Sequence, residues 1–313
     1  MTAAGMRRTA KETSLVGGDE RSLGRKGTAE TGAAQDIDAL LRAPRFDARA
    51  GLDPRLETPP MVRGTITSIA LLDPPRLAVH ASIMAIDDAE FGPSGTAAAW
   101  IAAGSTGWLV CCTSGDQGGE DPNADPLALA AVRETEQRAA CAVTGYEGVT
   151  FLHQPDGALA NDLALREMLV REIRTFKPDA VLATDPEAVF HSSGGINHTD
   201  HRAAGLAAVD AVYPAARNPM AFPSLARAGL AAHKVRRLYL FWSNRPDAWI
   251  DISATLERKI EAQAAHASQI DDPGKLADRM RAWAAEEGAP IGVAAAEAMR
   301  VIVIDDDEDE GPS

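Results

Sequence analysis

Two histidines one helical turn apart are the most specific chemical feature of the sequence. His198 and His201 lie three positions apart in the segment Asn-His-Thr-Asp-His-Arg that ends at Arg202. On a helix this spacing puts both imidazoles on one face, where they can enter the same cleft. Asp200 lies between them and can orient one imidazole through a hydrogen bond. The alternative is an ordinary polar helix start, where the helix dipole favours an aspartate.

A pair of adjacent carboxylates, Asp87 and Asp88, follows an apolar segment near residue 80. In a catalytic arrangement one carboxylate binds a divalent metal ion, and its neighbour takes a proton from the metal-activated water. An oxygen of Asp88 with a nitrogen of His201 is a mixed ligand set, which suits zinc better than calcium or magnesium. The alternative is that the two aspartates only form a turn or begin a helix.

Short apolar runs and helical patterns alternate along the part of the chain that carries these residues. The runs predict strands at 77–81, 107–113, 149–152, 180–184 and 235–242, and the patterns predict helices at 94–103, 126–144, 162–176, 200–212 and 252–269. Ser94 is predicted to cap the first helix. The alternation predicts an α/β fold with a Rossmann-like, doubly wound, mostly parallel sheet and helices on both faces. Ligands bind at the carboxyl ends of the strands in such sheets, where the residues above occur.

Composition and charge exclude several classes of function. The chain is 45% hydrophobic, and 31 basic residues against 45 acidic ones give a formal charge of −14. So acidic a chain is a poor candidate for binding nucleic acid or an anionic membrane. No apolar run reaches the roughly 18 residues of a membrane span, and the sequence shows no secretory signal. The three cysteines form neither a disulfide framework nor a metal motif. We therefore expect a cytoplasmic protein whose partner is a small molecule.

The two ends of the chain differ from its centre. Residues 1–75 are predicted to be a disordered, low-complexity extension. A run of six acidic residues begins at Asp305 and predicts a solvated tail over residues 305–313. One folded domain is therefore expected at 76–304. Within it, the segment at 92–95 lacks the glycine spacing and the following lysine of a phosphate-binding loop, so a nucleotide-binding function is weakly supported.

Taken in order, these residues resemble the PIG-L/LmbE-like N-acetylglucosaminyl deacetylase family. The resemblance covers residues 76–304 and rests on six ordered matches. They lie at 87–96, 113–116, 133–136, 155–157 and 197–202, and in closing helices that carry Lys259, His266 and Glu297. The resemblance implies a zinc-assisted hydrolase that removes an N-acetyl group from a small GlcNAc-type or related amide.

The resemblance also implies roles for individual residues. Asp88 and His201 would be metal ligands, and Asp87 would be the general base that deprotonates the metal-activated water. His198 would stabilise the oxyanion and protonate the leaving amine, with Asp200 orienting its ring. Two further residues, Arg133 and Asp156, would help to hold the sugar-like substrate.

One departure from the family pattern concerns the metal site. The first motif of the family has a histidine ligand before the aspartate pair, and Ala85 stands at that position here. Catalytic zinc normally has three protein ligands and a water molecule. A supplementary ligand could come from Asp185, Asp116 or His191, or the zinc could be held weakly. The alternative is a catalytically impaired family member that binds a sugar or a partner.

Overall fold

The structure is a computed structural model, and it describes residues 79–84, 90–191 and 194–304 of the 313-residue chain. The described residues belong to one compact unit. The predictions for the extension at 1–75 and for the tail at 305–313 lie outside the described residues. The same is true of the positions of Asp87 and Asp88.

A single seven-stranded sheet forms the centre of the described region. Its strands are β1 (Val79–Met84), β2 (Trp108–Thr113), β3 (Gly148–Gln154), β4 (Ala180–Thr184), β5 (Arg237–Phe241), β6 (Ala248–Asp251) and β7 (Ala296–Val303). The strand order is β3-β2-β1-β4-β5-β7-β6. Strands β1 to β5 run parallel to one another, whereas β7 runs antiparallel to its neighbours β5 and β6. The predicted α/β fold is confirmed.

Seven α-helices are found in the described part of the chain. They are α1 (Ser94–Ala102), α2 (Pro126–Thr144), α3 (Leu163–Phe176), α4 (Thr199–Asp210), α5 (Pro223–Arg227), α6 (Leu256–Ala264) and α7 (Pro273–Gly288). A π-helical segment, Ala211–Ala216, follows α4 directly. None of these helices combines the length and the apolar character needed to cross a lipid bilayer.

Local chemistry explains most helix boundaries. Asp125 caps α2 by accepting a hydrogen bond from the Leu127 amide, and Gly145 ends this helix in a left-handed conformation. The predicted capping of α1 by Ser94 is wrong. The capping position is Pro93, and the Ser94 hydroxyl donates instead to the carbonyl of Glu90 at 2.8 Å. The helix predicted at 252–269 is also shorter, since α6 begins only at Leu256.

Two apolar clusters cover the sheet through alternate residues of its strands. In β4, Val181 and Ala183 belong to a cluster with residues of α3 and α4. Ala180 and Leu182 belong to a second cluster with residues of α1 and α2. Successive strand residues point to opposite faces, so β4 is covered on both sides and its sequence is apolar throughout. Because β1 to β5 run parallel, their carboxyl ends lie at the same edge of the sheet, which we call the site edge.

Candidate functional site

His198 lies at the site edge as the N-cap residue of α4. Its Nδ1 atom accepts a hydrogen bond from the backbone N–H of Asp200, at 3.3 Å. A ring nitrogen that accepts carries no proton, so the neutral imidazole of His198 has its proton on Nε2. His198 therefore offers an N–H donor at the start of the helix.

His201 has the opposite tautomer, and Asn197 is the reason. The Asn197 Nδ2 atom donates to the carbonyl of Ala188 at 2.9 Å, which assigns the orientation of this buried amide. The Asn197 Oδ1 atom then lies 3.1 Å from Nδ1 of His201. Since an amide oxygen only accepts, Nδ1 of His201 carries a proton, and in the neutral ring Nε2 therefore carries the lone pair. Neutral imidazoles held in this way at one nitrogen are typical of metal ligands.

The structure brings these two imidazoles together. Their ring centroids lie 5.3 Å apart with an interplanar angle of 52°. His198 thus supplies a hydrogen-bond donor and His201 an electron-pair donor within one turn of α4. The sequence spacing predicted that the rings share a face, but the tautomers depend on Asn197 and Asp200. The Asn197 side chain was not predicted to have a role, although it directly precedes the histidine motif.

Asp200 has a structural role that the sequence did not predict. Its carboxylate is buried and accepts hydrogen bonds from the backbone amides of Gly157 at 2.6 Å and Leu159 at 3.2 Å. These contacts join α4 to the loop that follows β3. The group that contacts the His198 ring is the backbone N–H of Asp200 and not its carboxylate. The predicted orientation of His198 by the Asp200 side chain is not among the hydrogen bonds described.

The two predicted substrate residues meet at the loop after β2. Arg133 is 4% exposed and donates from Nη2 to the carbonyl of Gly118 at 2.8 Å. The Oδ2 atom of Asp156 accepts a hydrogen bond from the backbone N–H of Gln117 at 2.9 Å. Arg133 and Asp156 therefore hold neighbouring peptide groups of one loop at the site edge. Their contact with a substrate remains a prediction.

A cluster of Ser114, Glu134 and His153 also lies at the site edge. Ser114 and Glu134 lie in the matched segments 113–116 and 133–136, but no role was predicted for any of the three residues. The Ser114 hydroxyl donates to Oε1 of Glu134 at 2.8 Å, and Nδ1 of His153 lies 3.2 Å from both side chains. His153 has a φ of 50°, which is uncommon for a residue other than glycine. In a serine-hydrolase triad the serine and the acid contact different ring nitrogens. Here both contact Nδ1, so the geometry is not that of a triad.

Trp242 forms a wall beside the histidines. The centroid of its ring system lies 5.6 Å from that of His201 and 6.0 Å from that of His191. Its φ of 56° turns the chain sharply just after β5. Its indole Nε1 is buried, and it has no hydrogen-bond partner among the described residues. The structure thus places Trp242 against His201 and His191.

The described residues do not complete a metal site. Within residues 90–191 and 194–304, no three or more His, Cys, Asp or Glu side chains are grouped so that they could hold a metal ion. Asp185 is buried and accepts the backbone N–H of Glu187 at 2.9 Å, and His191 packs against Trp242. The suggested supplementary ligands Asp185, Asp116 and His191 therefore form no three-ligand group with His201. Asp88 lies outside the described residues.

The three cysteines are free and buried, and they are therefore excluded as nucleophiles and as metal ligands at neutral pH. Burial, together with the charge of Asp200, raises the pKa of the Cys112 thiol to about 12. Burial also raises the pKa of Cys141 to about 12 and that of Cys111 well above its ordinary value. The thiolate is the nucleophile and the metal ligand, and these residues remain thiols. All three side chains pack in the two apolar clusters that cover the sheet.

Comparison with known proteins relates the chain to deacetylases. The family model of the PIG-L GlcNAc-PI de-N-acetylases matches residues 86–212, a match that begins directly after Ala85. The diacetylchitobiose deacetylase of Thermococcus kodakarensis is 28% identical over 190 residues, which cover 59% of this chain and 67% of that protein.

Two further relatives agree with this assignment. A 1D-myo-inositol 2-acetamido-2-deoxy-alpha-D-glucopyranoside deacetylase of Mycobacterium sp. (strain KMS) is 28% identical over 242 residues, covering 64% of this chain and 75% of that protein. The solved structure of the N,N'-diacetylchitobiose deacetylase from Pyrococcus horikoshii superimposes with a TM-score of 0.66. It is 27% identical and covers 72% of this chain and 83% of that chain.

Proposed function

Because the chain belongs to the PIG-L/LmbE-like deacetylase family, we propose that it is a metal-dependent hydrolase acting on a small N-acetylated substrate. The reaction would remove an N-acetyl group from a GlcNAc-type sugar or a related amide. The observation that carries the proposal is the opposite tautomers of His198 and His201 at the start of α4. Amide hydrolysis with a metal ion needs both a donor for the oxyanion and an imidazole lone pair for the ion.

The fold supports this location of the site. We interpret the strand order β3-β2-β1-β4-β5 as a Rossmann-like, doubly wound arrangement, because β1 and β4 are neighbours at the centre of the sheet. The chain reverses its direction of winding between these two strands, and such switch points form crevices that bind ligands. The segment with Asp87 and Asp88 follows β1, and the histidines follow β4. We expect all four side chains to meet there.

The chemistry of the donors fits zinc. His201, with its lone pair on Nε2, and Asp88 would hold the ion, and the third protein ligand is not identified. Zinc binds imidazole and carboxylate ligands together, whereas magnesium and calcium prefer oxygen ligands alone. When bound, the ion would supply Lewis-acid polarisation of the amide and lower the pKa of water.

The residues of the chain would move the protons. Asp87 would accept a proton from the attacking water through a carboxylate oxygen. His198 would donate a hydrogen bond from Nε2–H to the developing oxyanion and keep that proton, because a neutral ring that lost it would become an imidazolate. The proton that Asp87 took from the water would then pass to the nitrogen of the leaving amine. The backbone N–H of Asp200 donates a hydrogen bond to Nδ1 of His198, which keeps the His198 proton on Nε2. Arg133 and Asp156 would shape the loop at 115–118 around the sugar.

A second function, a sugar-binding or partner-binding protein without turnover, is favoured by one specific observation. Ala85 stands where the family has a metal-binding histidine, and no three-ligand group is present among the described residues. A site with two ligands binds zinc more weakly than one with three. In this alternative the protein would still bind a sugar at the loop 115–118 but would not hydrolyse the amide.

One set of measurements separates the two functions. Amine release from N-acetylglucosamine and N,N'-diacetylchitobiose is followed with added zinc, and zinc content is measured by elemental analysis. The hydrolase proposal expects turnover in the wild type that Asp87→Asn abolishes. The control variant Asp121→Asn, which changes an exposed acid in the same region of the sheet edge, should keep the wild-type turnover. Ala85→His should bind zinc more tightly. Absence of turnover even in Ala85→His contradicts the hydrolase, and calorimetric binding of the same sugars would then support the alternative.

A further inference from the structure

A buried carboxylate anchors the turn between the aspartate pair and α1. Glu90 is 1% exposed, and its two carboxylate oxygens have different partners. Oε1 accepts from Nε2 of Gln137 at 2.8 Å, and Oε2 lies 2.9 Å from Nε2 of His266. Gln137 belongs to α2 and His266 follows α6, so residues far away in the sequence fix the first residue of the turn.

A buried lysine holds the next two peptide groups of the turn. Lys259 of α6 is 4% exposed, and its Nζ atom donates to the carbonyls of Phe91 at 3.0 Å and Gly92 at 2.6 Å. Its third contact is Oε1 of Glu297 at 2.5 Å. These three contacts use all three protons of the ammonium group. The turn packs closely against Phe241 of β5, since a Cβ on Gly92 would lie only 2.7 Å from the Phe241 ring.

A buried glutamate holds the start of α1. Oε1 of Glu297, on β7, accepts from the Gly95 amide at 3.0 Å, and Oε2 accepts from the Thr96 amide at 2.8 Å. The hydroxyl of Thr96 donates to the same oxygen at 2.5 Å. The amides at a helix N-terminus form the position that binds phosphate in dinucleotide-binding folds. Here a carboxylate of the chain itself occupies that position, which agrees with the missing glycine motif.

From these contacts we infer that Glu90, Lys259, His266 and Glu297 are positioning residues. They fix the turn at 90–96, which follows the segment carrying Asp87 and Asp88 in the sequence. This inference rests on the proposed function for the role of the two aspartates. Glu90 lies two residues after Asp88, a distance of at most about 7 Å along the chain. Two carbonyls, two amides and the first side chain of this turn are held by buried partners, so we expect the position of the turn to matter for the aspartates that precede it in the sequence.

The use of charged groups supports positioning over simple stabilisation. Burying Lys259 and Glu297 removes two charges from water, and well-packed apolar side chains often stabilise a fold as well as such a pair does. Apolar side chains cannot, however, fix the direction of individual carbonyl and amide groups. Catalytic groups need that precision, because small misplacements reduce the rate strongly.

The test uses the full-length protein with zinc and the substrates named above. Lys259→Met/Glu297→Gln removes both charges together, so that neither is left buried and unpaired. We expect kcat to fall at least about tenfold while KM changes less than about twofold, because the substrate loop at 115–118 is not altered. Lys275→Met is the matched control, since Lys275 is an exposed lysine of α7, and it should keep both constants. An unchanged kcat in the folded double variant would overturn the inference.

Amide hydrogen exchange separates this inference from the proposed function. In the double variant, peptides covering residues 90–98 should exchange at least about tenfold faster, and peptides of α3 should exchange as in the wild type. Unchanged exchange at 90–98 overturns the inference whether or not the wild type turns over substrate. Faster exchange there in a protein without turnover counts against the hydrolase alone. If the double variant does not fold, His266→Met removes one contact of Glu90 and is judged by the same two outcomes, with smaller effects.

Discussion

The start of α4 and the turn before α1 lie at the same edge of the sheet, but different chemistry holds them. At the start of α4, neutral amide groups contact the two imidazole side chains, through Asn197 and the backbone of Asp200. At the turn, buried charged groups contact the backbone, through Lys259 and Glu297. The first arrangement determines which nitrogen of an imidazole carries a proton. The second determines where the backbone lies.

This difference leads us to expect different consequences of substitution. A hydrogen bond between neutral groups contributes only about 0.5–1.5 kcal/mol to stability, so changes at the start of α4 should alter the chemistry more than the fold. Loss of one member of a buried ion pair leaves the other charge in a medium of low polarity. Changes at the turn should therefore alter both stability and rate.

Glu297→Gln should give the largest effect on stability. It leaves the Lys259 ammonium buried without its carboxylate, and we expect the free energy of unfolding to fall by about 3–5 kcal/mol. Urea unfolding at neutral pH measures this change. Adding Lys259→Met to the same chain should recover part of the loss, because the unpaired charge is then removed. A loss below about 1 kcal/mol in the single variant would contradict the distinction between the two regions.

His198→Ala should give the largest effect on the chemistry at the start of α4. Removing one oxyanion donor lowers kcat by about 10²- to 10³-fold in hydrolases. The variant also loses the N-cap of α4, which costs about 1 kcal/mol of stability. His198→Asn separates the two effects, since asparagine is a good N-cap but has no Nε2–H. We expect restored stability and a kcat that remains low, with zinc affinity within about twofold of the wild type.

Recovery of kcat in His198→Asn would contradict this assignment of the donor. The Nε2 proton would then have no part in the reaction, and the tautomer of His198 would matter only for the capping of the helix. Steady-state kinetics and thermal unfolding of the same preparations distinguish these results.

Sequence patterns predicted the start of α4 better than the turn before α1. The histidine motif is local, since Asn197 to His201 lie within about one helical turn and their spacing specifies a shared face. The buried network is not local: Glu297 contacts Thr96 across 201 positions. The segment around Glu297 was expected in a closing helix, but it forms β7. That expectation came from the resemblance, and pairing with β5 and β6 makes the segment a strand instead.

The partner groups of individual site residues were the least predictable part. Asp200 has the right type and spacing to orient a histidine, yet its carboxylate binds the amides of Gly157 and Leu159. Arg133 and Asp156 were selected for a substrate and also hold one loop. Buried polar groups must find partners, but which partners they find depends on the packing of three or more elements.

Asn197→Ala should weaken zinc binding without removing a ligand. The substitution removes the acceptor for Nδ1 of His201, so the ring can adopt either tautomer and other orientations. Loss of such outer contacts lowers metal affinity by about 10- to 100-fold. Calorimetric titration with zinc measures the change, and Asn123→Ala, on an exposed loop, is the matched control. Equal zinc affinity in both variants would separate Asn197 from the metal site.

The smallest effect is expected at a second ion pair of α6, which lies on the surface. Glu257 forms two hydrogen bonds with Arg281 at 2.9 and 2.8 Å, and both side chains are exposed. Arg281→Ala should lower Tm by no more than about 3 °C at neutral pH, since water screens such pairs, and kcat should not change. The hydrogen bond from Arg281 lowers the pKa of Glu257 from its ordinary value of 4.5.

The pH dependence of that small effect distinguishes the surface pair from the buried one. A lowered pKa in the folded state stabilises the protein above pH 4.5, and this contribution disappears as pH falls through the lowered pKa. The Tm difference between Arg281→Ala and the wild type should therefore vanish at acid pH. Thermal unfolding between pH 7 and acid pH measures it. A change in Tm as large as that of Glu297→Gln would mean that burial does not separate the two ion pairs, and the positioning role of the Lys259–Glu297 pair would lose its physical basis.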